Sequence, residues 1–174
     1  MLVLAGSLDA LDAWEPPDGP VAVAGSAAAF RGLEGALDEA RTHVTSDPLW
    51  WYPASSRTEV ESLADQIPEP AWWLLLEGSP LHARSLWRHS KLAERWRHAP
   101  GPVVALGSSG SVLGEVMIDP RGGAPTTGVG LYRDRVVTPI LAEPLRDRTL
   151  TLLGTGTRLE ELLPDSLLLL EVSE

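Results

Sequence analysis

Cysteine is absent from the 174 residues. That removes a disulfide framework, a thiolate zinc site and a cysteine nucleophile, and with the last of these the Cys-His chemistry of amidotransferases. Any nucleophile in this chain is an oxygen or an amine. Positive charge is also scarce, with 14 Lys and Arg against 24 Asp and Glu for a formal net charge of −10. Nucleic acid and anionic membranes both call for a basic footprint, so neither is an expected partner. Long apolar runs are missing too: Ala71 to Leu76 and Leu167 to Leu170 are far too short to cross a bilayer. The first residues, Met1 to Gly6, are apolar without a basic leader and are followed by acidic residues. They read as a buried first strand, and the expected location is the cytoplasm.

What is present is an alternation of short apolar runs with helical segments. Runs at Leu2 to Leu4, Val21 to Ala24, Trp72 to Leu76, Val103 to Leu106, Val136-Val137 and Leu167 to Leu170 read as strands. Segments at Ala27 to Arg41, Thr58 to Gln66, Pro80 to His98 and Pro144 to Leu150 read as helices. Such alternation predicts parallel βαβ units in one domain spanning residues 1–174, a three-layer αβα sandwich with a mainly parallel sheet. A chain of this length buries about 70% of its unfolded surface. Arg84, Arg88, Lys91 and Arg95 fall within a roughly 60° sector if Pro80 to His98 is one helix. They would make a basic stripe, most simply a solvated helix face. Of the seven tryptophans, Trp72 and Trp73 read as core, one ring to each side of a strand. Trp50, Trp51 and Tyr52 lie between prolines in a loop-like context, where exposure in a pocket or interface is an alternative to core packing.

The most informative stretch is Val103-Val104-Ala105-Leu106-Gly107-Ser108-Ser109-Gly110-Ser111, an apolar strand breaking into glycine and serine. It reads as a nucleophile elbow, a sharp strand-to-helix turn whose neighbours must be small. Gly107 and Ser111 supply small residues two before and two after Ser109, which makes Ser109 the preferred nucleophile over Ser108 and Ser111. Gly154-Thr155-Gly156-Thr157 has the look of a dinucleotide loop but lacks a third glycine and a following βαβ unit, so it reads as a turn. No metal or cofactor motif is present.

From about Ala71 onward the chain resembles the peptidase E and cyanophycinase family of serine exopeptidases. The resemblance rests on Val116-Met117-Ile118-Asp119-Pro120-Arg121-Gly122-Gly123-Ala124-Pro125, on Gly128-Val129-Gly130-Leu131 and on Gly78-Ser79-Pro80-Leu81-His82. It implies a flavodoxin-like, class I glutamine-amidotransferase-like sheet, Ser109 as nucleophile, and the amides of Gly78 and Gly110 as an oxyanion hole. Two departures stand out. Relatives carry two adjacent glycines where Glu77-Gly78 stand, and they place the general-base histidine directly after the proline of Thr138-Pro139-Ile140, where this chain has Ile140. A serine without a base is a weak nucleophile. Of His43, His82, His89 and His98, only His82 follows the oxyanion loop closely enough to substitute. Glu115 and Asp119 are the candidate acids, although Asp119 equally suits a turn pinned by Arg121.

These features lead to a degenerate relative of serine exopeptidases that keeps the elbow, lacks the base, and binds a peptide or small molecule or serves as a partner subunit. Two alternatives remain open. One is an active serine hydrolase drawing on His82. The other is a structural interaction module whose Trp50-Trp51-Tyr52 segment docks another protein or a second copy.

Overall fold

The computed structural model describes residues 1–173. In chain order the elements are β1 (Leu2–Ala5), β2 (Val21–Ala24), α1 (Leu33–His43), β3 (Leu49–Tyr52), α2 (Arg57–Ala64), β4 (Trp72–Leu75), α3 (Pro80–Trp87) and α4 (Lys91–Arg97). They continue with β5 (Val103–Leu106), α5 (Ser108–Val112), β6 (Val116–Ile118), β7 (Pro125–Thr127), β8 (Val136–Pro139), α6 (Glu143–Leu153), β9 (Leu159–Leu162) and β10 (Leu167–Leu170). Two short 3-10 segments, Asp9–Ala13 and Ser26–Phe30, follow β1 and β2.

Six strands form the central sheet in the order β10-β1-β5-β4-β2-β3. Pairing is parallel from β1 through β3, and β10 closes the β1 edge antiparallel. Strand alternation sorts the side chains into two layers. Leu2, Leu4, Ala22, Ala24, Trp73, Leu75, Val103 and Ala105 join the core under α2 to α5. Val3, Ala5, Val21, Val23, Trp72, Leu74, Val104 and Leu106 join the core under α1 and the 3-10 segments. The sheet is therefore mixed and flanked by helices on both faces, an αβα arrangement. No helix among the described residues is long and apolar enough to cross a membrane.

Two local expectations give way. Pro80 to His98 is not one helix: it breaks at Arg88 to Ser90, where His89 adopts φ 57° and the Ser90 side chain caps α4 by accepting from the Ala93 amide. The basic stripe is consequently split, and two of its four members, Arg84 and Arg95, bind backbone carbonyls. Arg95 donates to the carbonyls of Ala64, Ile67 and Pro68 at the end of α2 and lies over the Trp73 ring. Arg84 donates to Thr127 O, and Lys91 pairs with Asp65. The second change concerns Trp50-Trp51-Tyr52, which forms the edge strand β3 rather than a loop. Trp and Tyr favour strands, and the flanking prolines stand at its ends, where no ladder donor is needed.

Candidate functional site

Strand β5 lies between β1 and β4, so its carboxyl end meets the turns leaving both neighbours. In open parallel sheets this is where ligands bind. The chain leaves β5 through a bend at Gly107, with φ 47° and ψ −119°, and enters α5 at once. Residues with a Cβ rarely adopt that conformation. The Gly107 amide donates to Ala5 O at 2.8 Å, tying the bend to the end of β1. An ideal Cβ placed on Gly107 would stand 2.3 Å from Oε2 of Glu77, so the Glu77 carboxylate fills the space into which a side chain at 107 would project.

The bend therefore falls on Gly107, and Ser109 lies two residues further on. Ser109 is fully buried, and its hydroxyl donates to Leu76 O at 2.7 Å, towards the sheet and β4. Ser108 accepts from the Gly78 amide at 3.3 Å and donates to Gly78 O at 2.9 Å. One hydroxyl thus occupies both backbone groups of the expected oxyanion loop. Gly78 is itself a close-approach residue, since a Cβ there would meet Ala27 O at 2.0 Å. The Gly110 amide donates to Gly107 O within the turn, and Gly110 O accepts from the Tyr132 hydroxyl at 3.0 Å. Burial pushes the Tyr132 phenol far above its usual range, so this hydroxyl is a permanent donor that pins α5. Ser111 donates to Ser108 O at 2.9 Å.

Other expected residues are not brought to the serines. His82 sits in the first turn of α3 with its ring against Phe30, centroids 4.6 Å apart. Its Nε2 is buried without a partner, and among the described residues no histidine hydrogen-bonds to Ser108, Ser109 or Ser111. Glu115 is exposed. Asp119 turns back on its own loop, accepting from the Arg121 amide at 2.9 Å and from its guanidinium at 3.1 and 2.8 Å. Those bonds hold its carboxyl at about 2, well below the usual range. No group of three or more His, Asp and Glu side chains that could hold a metal ion occurs among the described residues.

Beside the elbow lies a cavity of about 190 Å³, lined by Ser108 and Ser111 of α5, by Thr138 and Ile140 at the end of β8, and by apolar residues including Pro80 and Leu145. Ile140 stands on its rim, 57% exposed. Gly107, expected only as a small neighbour of Ser109, is the bend itself, and Thr138 and Tyr132 had no expected role. For Gly107 a signal existed, as it is the first residue after the apolar run; for the other two there was none, because only packing brings β8 and Tyr132 against α5.

No protein-family model matches the chain, and no curated protein matches it. Among solved structures it is similar to a peptidase from an acI-B1 actinobacterium, with a TM-score of 0.67 and 16% identity over 91% of this chain and 78% of that one. At that identity the likeness is one of fold, and the chain has the fold of that peptidase.

Proposed function

We propose that this protein is a catalytically degenerate relative of the serine exopeptidases of the peptidase E and cyanophycinase type, with their class I glutamine-amidotransferase-like topology, and that its elbow serves to bind a ligand. One observation carries this reading: the bend residue is Gly107, with a carboxylate over it. In nucleophile elbows the attacking side chain sits on that strained turn. Glycine offers none. Relatives carry glycine where Glu77 stands, so the loss of a side chain at 107 and the gain of one at 77 read as a single exchange of occupants.

The remaining parts agree with it. At the position of the family's base, Ile140 can neither accept nor donate a proton. The oxyanion loop is closed by Ser108, so a developing negative charge would have to displace that hydroxyl before reaching the Gly78 amide. Ser109 has no base and no access to solvent. Without nucleophile and base together, acyl transfer loses several orders of magnitude in rate.

The test is exposure of the purified protein to a fluorophosphonate probe, read by intact mass beside an active serine hydrolase. The expected result is no adduct. A stoichiometric adduct that peptide mapping places on Ser108, Ser109 or Ser111, and that the matching alanine variant loses, would show an activated serine and overturn the degenerate reading.

A further inference from the structure

We infer that the cavity beside the elbow is a binding site for a small, neutral aliphatic carboxamide, an assignment that rests on the reading of the elbow as a ligand site. No charged side chain lines the cavity; its polar side chains are Ser108, Ser111 and Thr138 alone. A carboxylate or ammonium entering it would lose its water without meeting a countercharge. Arg121, the nearest cation in sequence to the lining residue Pro120, is bound to Asp119.

The hydroxyls narrow the class. Ser108 is spent on both backbone groups of Gly78. Ser111 has given its proton to Ser108 O and keeps its lone pairs, so it accepts. Thr138 as a residue is only 3% exposed and lines the cavity, and its hydroxyl, engaged in no side-chain hydrogen bond among the described residues, is not sealed off and faces the cavity. A hydroxyl in that position keeps its proton free for a ligand. One free donor and one free acceptor in a single cavity match the C=O and N–H of an amide. The volume of about 190 Å³ lies below the roughly 300–1,000 Å³ of drug-sized pockets and equals about six waters at roughly 30 Å³ each. That suits a ligand with a short branched chain and one amide, and isobutyramide is the probe.

The experiment is a titration of the ¹⁵N-labelled protein followed by amide shifts. Isobutyramide is expected to move the signals of Ser108, Ser111 and Leu141 with a Kd of roughly 1–10 mM, the range for so few atoms. Isobutyrate and isobutylammonium are expected to bind at least about tenfold more weakly, because each buries an unpaired charge. Thr138→Val keeps the shape and should weaken the amide about fivefold. Ala142→Trp, at the exposed mouth, should abolish binding while the rest of the spectrum holds. Equal binding of either charged congener, unchanged affinity in Thr138→Val, or no shift up to about 100 mM overturns the assignment. If Thr138→Val does not fold, the congeners and Ala142→Trp decide. An adduct with the fluorophosphonate probe sinks the degenerate reading whatever isobutyramide does; an unlabelled protein that ignores isobutyramide sinks only the ligand.

Discussion

Gly107 is the residue on which the elbow turns, through both its dihedral angles and the carboxylate above it. Gly107→Ala should cost about 1–3 kcal/mol in chemical denaturation, since a Cβ is strained at φ 47°. The clash with Glu77 involves the far end of a flexible chain, which can swing away. In a double-mutant cycle Glu77→Ala should therefore recover less than about 1 kcal/mol of that cost. A cycle with no residual strain would mean that the bend is softer than its angles indicate. Asp119 supplies the pH-dependent residue. Its carboxyl is depressed to about 2 by Arg121, so its contribution is fully present above the unfolded value near 4 and is lost as pH falls towards 2. The pair is largely solvated, and the effect should be confined to the turn between β6 and β7. Carboxyl NMR should show Asp119 titrating near 2 in the native chain, and Arg121→Ala should raise the midpoint towards the free value while the backbone N–H of residue 121 still holds it below.

Among the elements, α2 and the α3–α4 pair hold each other by reciprocal caps. Arg57, in the first turn of α2, donates to the carbonyls of Leu86, Arg88 and His89 where α3 ends. Arg95 of α4 does the same for the end of α2. Each guanidinium satisfies carbonyls that the helix itself leaves open, and a lysine cannot span the same fork. Arg95→Ala should lower stability by about 2 kcal/mol, and Arg95→Lys should restore less than half of it in urea denaturation. Full rescue by lysine would reduce the contact to plain charge. Helical spacing put Arg95 on one face with Arg84, Arg88 and Lys91 only on the expectation that Pro80 to His98 ran as a single helix, and the structure divides them between two. What the spacing could not reveal was the break at Ser90, a residue as compatible with a helix interior as with a cap until its hydroxyl finds the Ala93 amide.

At the scale of the whole molecule, the core beneath the α2 to α5 layer is built on aromatic rings. Trp96 is fully buried and packs edge-on against Trp87 and Trp73, at 5.1 and 6.2 Å between centroids. All three indole N–H groups lack a hydrogen-bond partner. Their near-perpendicular contacts, at 88° and 78°, suit aromatic quadrupoles and set rings edge to face. Trp96→Ala should cost about 3–5 kcal/mol, a large share of the roughly 5–15 kcal/mol that stabilises such a domain. Near-UV circular dichroism and the urea midpoint would report it. A loss below about 1 kcal/mol would show that the layer closes over the cavity.

The alternation of apolar strands with helices was decided by the sequence alone, because burial on two faces demands it of every parallel strand. The glycine and serine turn after β5 was legible for the same local reason: only small residues allow a strand and a helix to meet so closely. The chemistry excluded by the missing cysteine, and the absence of a proton carrier at Ile140, also needed no coordinates. Tertiary structure decided the rest. It placed the bend on Gly107 instead of Ser109, since the backbone angle follows from where β5 stops pairing with β1 and β4. It filled the space above that bend with Glu77, from the end of a neighbouring strand. It turned Asp119 into a loop pin, and it set Thr138 of β8 against Ser111 of α5 across a cavity. Each of these joins residues far apart in the chain, and such contacts exist only once the sheet order has been chosen.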